Sequence, residues 1–122
     1  MNQNRRKGLH YEKLAKEYLL ECGLLLLNAN YQCRFGEIDL IMLQREVLCF
    51  IEVKFRSSLA FGGAAYAIPV QKQKKIVKSA QFFLSVNKKL ARHAMRFDAL
   101  LIQQQANKVY QFNWIQNAFY VE

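Results

Sequence analysis

The sequence is poor in the residue types that define several specialised protein classes. Its 122 residues include one proline, five glycines and three cysteines. So little proline and glycine, beside 52% hydrophobic residues, excludes a collagenous, linker-like or intrinsically disordered chain. The cysteines form no C-x-x-C pair, which excludes a zinc ribbon and a dithiol redox motif. Two of them, Cys22 and Cys49, lie among apolar residues, and we expect both to be buried.

Segments and motifs of other classes are also absent from the sequence. No apolar run approaches the roughly 20 residues that span a membrane, and the polar N-terminus lacks the apolar core of a signal peptide. Neither a G-x-x-x-x-G-K-[ST] phosphate loop nor a G-x-S-x-G nucleophile motif occurs. We therefore expect a cytoplasmic protein that forms a single domain over residues 1–122 and does not use a P-loop for nucleotide hydrolysis.

Acidic residues are scarce, and their scarcity makes the chain strongly basic. Eighteen Lys and Arg residues stand against nine Asp and Glu residues, which gives a net charge of +9 and a pI near 9.7. An excess of this size on a small domain favours a polyanionic partner, with nucleic acid ahead of an anionic membrane surface. The alternative is a basic surface that serves only solubility.

Hydrophobic periodicity predicts two helices and five strands. Apolar residues recur at intervals of three and four between Gly8 and Cys22, and again in the segment that Pro69 opens. Gly and Ser residues between positions 56 and 67 predict a mobile loop. The order α-β-β-β-α-β-β predicts an α/β domain with a mixed β-sheet flanked by helices on both faces. The predicted helices are 8–22 and 69–86, and the predicted strands are 24–31, 36–43, 47–55, 95–102 and 109–115.

The second and third strands carry three acidic residues and a lysine at one end. A two-residue turn at positions 45–46 would make the paired positions of this hairpin sum to 91. In that register Asp39 lies opposite Glu52, and Glu37 lies opposite Lys54. Because side chains alternate between the two faces of a strand, all four are predicted on one face of the sheet.

The surroundings of these charges are apolar, which makes the cluster costly without a counterion. On the hairpin face opposite the acids we expect Ile38 and Leu40 together, and the acids' own face continues with further apolar residues. Adjacent carboxylates in such a setting repel each other, and a divalent cation such as Mg²⁺ or Mn²⁺ resolves the repulsion with hard oxygen ligands. Lys54 could then orient or deprotonate an attacking water, or stabilise phosphate charge.

The simpler alternative for the same residues is a structural one. It consists of a cross-strand salt bridge between Glu37 and Lys54, with Asp39 and Glu52 at a solvated strand end. On spacing alone, a D-x(12)-E-x-K pattern does not exclude this arrangement. The apolar flanks on both strands and the basic remainder of the chain favour the metal site.

The same residues resemble a known nuclease core. D-x(12)-E-V-K across a β-hairpin, preceded by a helix that carries Glu12, is similar to the PD-(D/E)xK core of the restriction-endonuclease-like fold. The chain most resembles the small YraN-type family of uncharacterised bacterial proteins that are predicted to be endonucleases, and it resembles archaeal-type Holliday-junction resolvases more distantly. The matching positions span nearly the whole chain: Gly8, Glu12, Asn30, Gly36-Glu37-Ile38-Asp39-Leu40-Ile41, Phe50-Ile51-Glu52-Val53-Lys54, Arg56, Phe61-Gly62, Lys72, Ala80, Arg96-Phe97-Asp98 and Ala118-Phe119.

The resemblance implies an endonuclease that hydrolyses phosphodiester bonds with Mg²⁺ or Mn²⁺ as cofactor. It implies that Asp39 and Glu52 are metal ligands, that Glu12 is a further ligand and that Lys54 is the catalytic lysine. Glu37 belongs to the matching motif and is expected in the catalytic carboxylate shell. The expected partner is nucleic acid, DNA before RNA, and not a membrane; a homodimer is an open alternative by analogy with junction-cleaving relatives. A catalytically silent nucleic-acid-binding module of the same fold is the alternative function.

Basic residues near the predicted site are candidates for contacts to the nucleic-acid backbone. Lys72 matches a lysine of the family pattern, and Arg56 follows the catalytic strand. Contacts of this kind are independent of base sequence and sensitive to salt. Asp98 is instead expected in a structural role, paired with Arg96 or with nearby backbone. The four candidates for nucleic-acid binding are Arg34, Arg56, Lys72 and Lys75.

Overall fold

A computed structural model describes residues 3–56 and 68–120, with side chains for 8–55 and 68–120. The elements occur in the predicted order α-β-β-β-α-β-β, and in these segments no helix combines the length and the apolar composition needed to cross a bilayer. The predicted mobile loop falls almost wholly on residues 57–67, outside the described part of the chain. The bounds are α1 Gln3–Glu21, β1 Leu25–Cys33, β2 Gly36–Gln44, β3 Val47–Arg56, α2 Val70–Val86, a 3₁₀ helix Lys88–Arg92, β4 Ala94–Gln104 and β5 Tyr110–Phe119.

All five strands form one mixed sheet. Their order is β1-β2-β3-β4-β5, with β3 and β4 parallel and the other neighbours antiparallel. A parallel pair needs a crossover connection, and α2 lies in the chain between β3 and β4. The mixed sheet and the helix order confirm the predicted fold class, and they agree with the restriction-endonuclease-like fold.

The two helices cover opposite faces of the sheet. On one face α1 packs through Ala15 and Leu19 in a cluster that includes Leu40 of β2. On the other face α2 packs through Ile76 and Phe83. Because both faces of the central strands are covered, their sequences are almost continuously hydrophobic. The α1-side cluster is Ala15, Leu19, Leu24, Leu40, Met42, Cys49, Ile51, Leu100 and Ile102. The α2-side cluster is Ile38, Ile41, Leu48, Phe50, Ile68, Ile76, Ala80, Phe83, Phe97, Ala99 and Phe119.

The β2–β3 hairpin has the predicted register. Gln44 pairs with Val47 across a two-residue turn, and the ladder runs to the pair Leu40 and Ile51, with every pair summing to 91. Arg45 closes the turn with a φ of 55°, in the left-handed region that tight hairpin turns require. The turn chemistry therefore set the register along the whole paired segment.

The predicted alternation of faces is wrong at Ile38. Ile38 packs in the α2-side cluster with Ile41, whereas Leu40 packs in the α1-side cluster. The ladder with β3 stops at Leu40, whereas β1 remains paired with β2 at both Leu40 and Ile38. The chain therefore changes its facing at Asp39, the position of the candidate metal ligand.

One of the two cysteine predictions is also wrong. Cys49 is buried in the α1-side cluster, as expected, but Cys22 is exposed. The helix α1 ends at Glu21, and Gly23 follows with a φ of 97°. Cys22 thus lies in the turn after the helix, beyond the face that packs on the sheet.

Candidate metal and nucleic-acid site

The β2–β3 ladder opens at its end, and Asp39 lies in the opening. The last paired residues are Leu40 and Ile51, one position before Asp39 and Glu52. The Asp39 carboxylate oxygen Oδ2 accepts a hydrogen bond of 2.7 Å from the backbone N–H of Val53. A side chain of β2 thus provides the acceptor that backbone would provide in an unbroken ladder.

Glu52 is buried and faces the other helix. Its neighbours Ile51 and Val53 pack toward α1, so alternation turns Glu52 toward α2. There the Nζ atom of Lys72, in the first turn of α2, lies 3.2 Å from its Oε1 atom. Glu52 is 8% exposed, which contradicts the alternative of a solvated strand end.

The carboxyl group of Glu52 is close enough to that of Asp39 to perturb the Asp39 pKa. Burial, the negative charge of Glu52 and a hydrogen bond with the Glu52 side chain raise the pKa of Asp39 from 3.8 to about 7. The Val53 N–H and the Lys72 ammonium act in the opposite direction. At neutral pH the Asp39 carboxyl is therefore partly protonated, because burial and the neighbouring Glu52 carboxylate both disfavour its charged form.

Glu12 brings a third carboxylate to the same region from α1. Burial is the main cause that raises the Glu12 pKa from 4.5 to about 7, followed by the charges of Asp39 and Glu37, while Lys16 lowers it. Glu12, Glu37 and Asp39 all line a cavity of about 580 Å³ between α1 and the sheet. The predicted acids thus converge, although they do so from α1 and the strand ends and not from one regular strand face.

The donor set fits a hard divalent cation that keeps much of its water. Mg²⁺ is typically held by one or two protein carboxylates together with waters and substrate phosphates. Asp39 and Glu52 provide two such carboxylates in contact. Within residues 3–56 and 68–120, however, no three His, Cys, Asp or Glu side chains are grouped closely enough to hold a metal by themselves. Glu12 is therefore near the pair without completing a three-ligand set.

Lys54 lies on β3 beyond the segment that pairs with β2. It is half-buried and pairs with Leu101 of the parallel strand β4. Its neighbours Val53 and Phe55 pack toward α1, so Lys54 shares the strand face of Glu52. This agrees with the predicted spacing of glutamate and lysine on one face of β3.

The predicted pairing of Glu37 with Lys54 is not part of the β2–β3 ladder. The expected opposition of Glu37 and Lys54 falls beyond the β2–β3 ladder, where no regular pairing holds the two strands together. Arg56 ends β3, and its side chain lies outside the described residues. The four charged residues of the hairpin therefore do not form the single regular row that the register alone predicted.

Two of the predicted nucleic-acid contacts lie beside the acidic group. Lys72 and Lys75 are exposed and line a second cavity of about 680 Å³. Glu37 lines both this cavity and the acidic one, so the two adjoin. Arg34 is exposed in the β1–β2 turn, with its guanidinium carbon 4.8 Å from the centre of the Phe35 ring, and it is not among the residues that line this cavity.

Gln32 also lies in this region, although it was not among the residues predicted from the sequence. It lines both cavities and pairs with Glu37 across β1 and β2. The signal was available, because a two-residue turn at positions 34–35 pairs Cys33 with Gly36 and hence Gln32 with Glu37. The turn rule that predicts the β2–β3 register, applied to the β1–β2 hairpin, places Gln32 opposite Glu37.

Asp98 has the structural role that the sequence predicted. It is 1% exposed, and its two carboxylate oxygens are 2.8 and 3.0 Å from the Nε and Nη2 atoms of Arg96. The indole N–H of Trp114 and the backbone N–H of Asn117 each donate to it at 3.0 Å. Asp98 is thus neutralised by groups of β4 and β5 and is separate from the candidate site.

The protein has a mixed sheet between two helices, with the half-buried Asp39 and the buried Glu52 where its central hairpin opens. This architecture places it in the restriction-endonuclease-like class of α/β domains. Residues 11–102 match the uncharacterised protein family UPF0102, and the chain belongs to this family. It is 46% identical to a UPF0102 protein of Saccharophagus degradans over 119 residues, 98% of this chain and 97% of that one. A UPF0102 protein of Stutzerimonas stutzeri is 40% identical over 119 residues, 98% of both chains. The resemblance to an uncharacterised YraN-type family is thereby confirmed, whereas nuclease activity stays a prediction.

Proposed function

We propose that this protein is an endonuclease that hydrolyses phosphodiester bonds of nucleic acid, DNA in the first instance, with Mg²⁺ or Mn²⁺. The observation that carries the proposal is the contact between the carboxyl groups of Asp39 and Glu52, where β2 and β3 separate. A buried acid in contact with a half-buried one destabilises a fold unless a cation is bound between them or one of them is protonated. Groups with perturbed pKa values in a cavity are typical of functional sites.

Each residue of the site has a definite part in this proposal. Asp39 and Glu52 would hold the divalent cation, and Glu12 and Glu37 would add negative charge at the wall of the cavity that Asp39 also lines. When bound, the ion supplies Lewis-acid stabilisation of phosphate charge and lowers the pKa of coordinated water. Lys54 would orient the attacking water or stabilise the charge on the phosphate.

The positive charge of the chain supports the choice of substrate. Lys72 and Lys75 line the cavity that adjoins the acidic one, and Arg34 is exposed nearby along the chain, in the β1–β2 turn. With Arg56 at the end of β3, they are proposed to contact the phosphodiester backbone. Such contacts weaken steeply as salt is added, so binding measured at two salt concentrations tests this part directly.

Cleavage assays with matched variants test the proposal. The purified protein is incubated with branched, single-stranded and duplex DNA and with Mn²⁺, beside Asp39→Ala, Lys54→Ala and Glu17→Gln. Glu17 is an exposed acid on α1, so its variant controls for a general loss of negative charge. We expect cleavage by the wild type and by Glu17→Gln, and its loss in Asp39→Ala and Lys54→Ala. Cleavage that persists in both of the latter variants would overturn the assigned site.

A silent nucleic-acid-binding module is the second candidate function. The observation that favours it is the lack of a three-ligand metal group within the described parts of the chain, together with a lysine already paired with Glu52. Salt-sensitive binding to every tested substrate, with no cleavage in Mg²⁺ or Mn²⁺, would support this function over the nuclease.

A further inference from the structure

The ion pair between Lys72 and Glu52 is asymmetric. Glu52 is 8% exposed, whereas Lys72 is 47% exposed and reaches the carboxylate across 3.2 Å. The first turn of α2 contains no acidic residue, so nothing in that turn offsets the unfavourable position of a lysine at the positive end of a helix dipole. Lys72 is therefore held toward the sheet by the buried Glu52 carboxylate.

The ion pair between Arg96 and Asp98 on β4 is built differently. Arg96 is 12% exposed and binds Asp98 through two nitrogen atoms at 2.8 and 3.0 Å. Its planar guanidinium fixes both partners in one geometry, whereas the Lys72 ammonium is a point charge on a flexible stem. Lys72 can leave its carboxylate by rotations of an exposed side chain, without repacking the core.

We propose that Lys72 is an exchangeable counterion of Glu52, a positioning residue of the site that rests on the proposed function. In the metal-free protein its ammonium neutralises Glu52. When the divalent cation binds Glu52, repulsion between the two cations displaces the ammonium. Lys72 then turns to the adjoining cavity of about 680 Å³, which it already lines with Lys75, and binds a phosphate of the nucleic acid there. The same side chain thus keeps the acids in place before the metal arrives and contacts the substrate afterwards.

Mn²⁺ binding without nucleic acid tests the exchange. Free Mn²⁺ is titrated by electron paramagnetic resonance with the wild type, Lys72→Met, Lys72→Arg and Lys78→Met. Removing the competing ammonium in Lys72→Met is expected to tighten Mn²⁺ binding by about tenfold. Lys72→Arg keeps the positive charge and should bind like the wild type. Lys78 is an exposed lysine of the same helix, and its variant controls for the loss of one positive charge from the protein.

Thermal unfolding of the same variants separates this role from a purely structural one. Lys72→Met should melt below the wild type without metal, because it leaves Glu52 unpaired, and should gain more from added Mn²⁺. Lys72→Gln, which keeps a polar end group, provides the same comparison if Lys72→Met does not fold. Mn²⁺ affinity that is unchanged or weaker in the Lys72 variants, or undetectable in every variant, would overturn the inference.

The outcomes also distinguish this inference from the proposed function. Tighter Mn²⁺ binding by Lys72→Met, with no cleavage of any nucleic acid by the wild type, would support the exchange and overturn the nuclease. Intact cleavage with equal Mn²⁺ affinity in the wild type and Lys72→Met would support the nuclease and overturn the exchange.

Discussion

Two buried carboxylate sites lie on the one sheet of this protein, and they are neutralised to different extents. Asp98 accepts hydrogen bonds from Arg96, Trp114 and the Asn117 backbone, so both of its oxygens are bound by fixed donors. At the end of the central hairpin, the Glu52 carboxylate is paired with the exposed Lys72 ammonium, and the adjacent Asp39 carboxyl accepts a hydrogen bond from the Val53 backbone N–H. The first arrangement joins β4 and β5, whereas in the second burial and the Glu52 carboxylate raise the pKa of Asp39.

The comparison shows that burial alone does not identify a functional acid. Asp98 and Glu52 are both buried, and both have a cationic partner. What differs is the neighbouring acid, because Asp39 is in contact with Glu52 and carries a raised pKa. A pair of acids in contact, one of them with a raised pKa, is typical of sites that bind metal or transfer protons. A single acid whose oxygens all accept hydrogen bonds is typical of a structural role.

The largest loss of stability is expected from removing Asp98, the acid whose two oxygens are both bound by donors. Asp98→Ala leaves the guanidinium of Arg96 without its anion and the indole of Trp114 without its acceptor. We expect the free energy of unfolding to fall by about 3–5 kcal/mol, as when one partner of a buried ion pair is removed. Urea denaturation followed by circular dichroism measures it. Asp39→Ala should cost less than half as much, since it also removes repulsion from Glu52; equal losses would end the distinction between the two sites.

Added metal should act on one site and not on the other. At a Mn²⁺ concentration of about 100 times its Kd, the free energy of unfolding of the wild type should rise by about 2.7 kcal/mol. Asp39→Ala should abolish this gain, and Glu17→Gln should keep it. Urea denaturation with and without Mn²⁺ measures the gain. If Asp39→Ala is stabilised as much as the wild type, the ion binds elsewhere in the protein.

The raised pKa values predict how stability depends on pH without metal. The Asp39 pKa is about 7 in the folded protein against its usual 3.8, so the folded state binds more protons than the unfolded state between these values. The contribution of Asp39 to the free energy of unfolding therefore falls as pH rises through this window, by about 2.5 kcal/mol between pH 5 and pH 7.5. Glu12, with a pKa raised to about 7, acts in the same direction.

Urea titrations at pH 5 and pH 7.5 of the wild type and Asp39→Asn measure this dependence. Asp39→Asn keeps an acceptor for the Val53 N–H and removes the titrating group, so its stability should fall less between the two pH values. Glu46→Gln, in the exposed turn between β2 and β3, is the matched control. Parallel pH profiles of Asp39→Asn and the wild type would contradict the assignment of the raised pKa.

The smallest loss of stability is expected from removing one of the hydrogen-bond donors to Asp98. Trp114→Phe deletes the indole N–H that donates to Asp98 and leaves the Arg96 and Asn117 donors in place. The free energy of unfolding should fall by about 1 kcal/mol, the usual net value of one hydrogen bond. Circular dichroism during urea denaturation measures it, with Gln116→Ala on the same strand as the control. A loss as large as that of Asp98→Ala would mean that the indole alone holds the site together.

Local rules were sufficient for most of the fold. The two-residue turn predicted the β2–β3 register, and five pairs from Gln44–Val47 to Leu40–Ile51 have it. Periodicity predicted both helices, and the burial of Ala15, Leu19, Ile76 and Phe83 follows the predicted faces. The 3₁₀ helix Lys88–Arg92 was not predicted, since five residues are too few for a periodic pattern.

The candidate site could be predicted in its membership but not in its geometry. The spacing of Asp39, Glu52 and Lys54 singled out the hairpin, and Asp39 and Glu52 are in contact. The opening of the ladder could not be predicted, because it depends on a side chain of one strand binding the backbone of another. At the same opening, Ile38 packs on the α2 side of the sheet and not on the predicted face of Leu40.

By itself the sequence determined the order of elements, the register of the central hairpin, the family and the residues to examine, because these depend on local spacing and side-chain type. Tertiary structure decided which acids are in contact and which lysine forms an ion pair with Glu52. Lys72 reaches Glu52 only because α2 folds back over the sheet, and Glu12 approaches Asp39 only because α1 covers the opposite face. Contacts between residues that are distant in the chain set the burial and the charge around each carboxyl group, and these fix its pKa and its capacity to bind a cation.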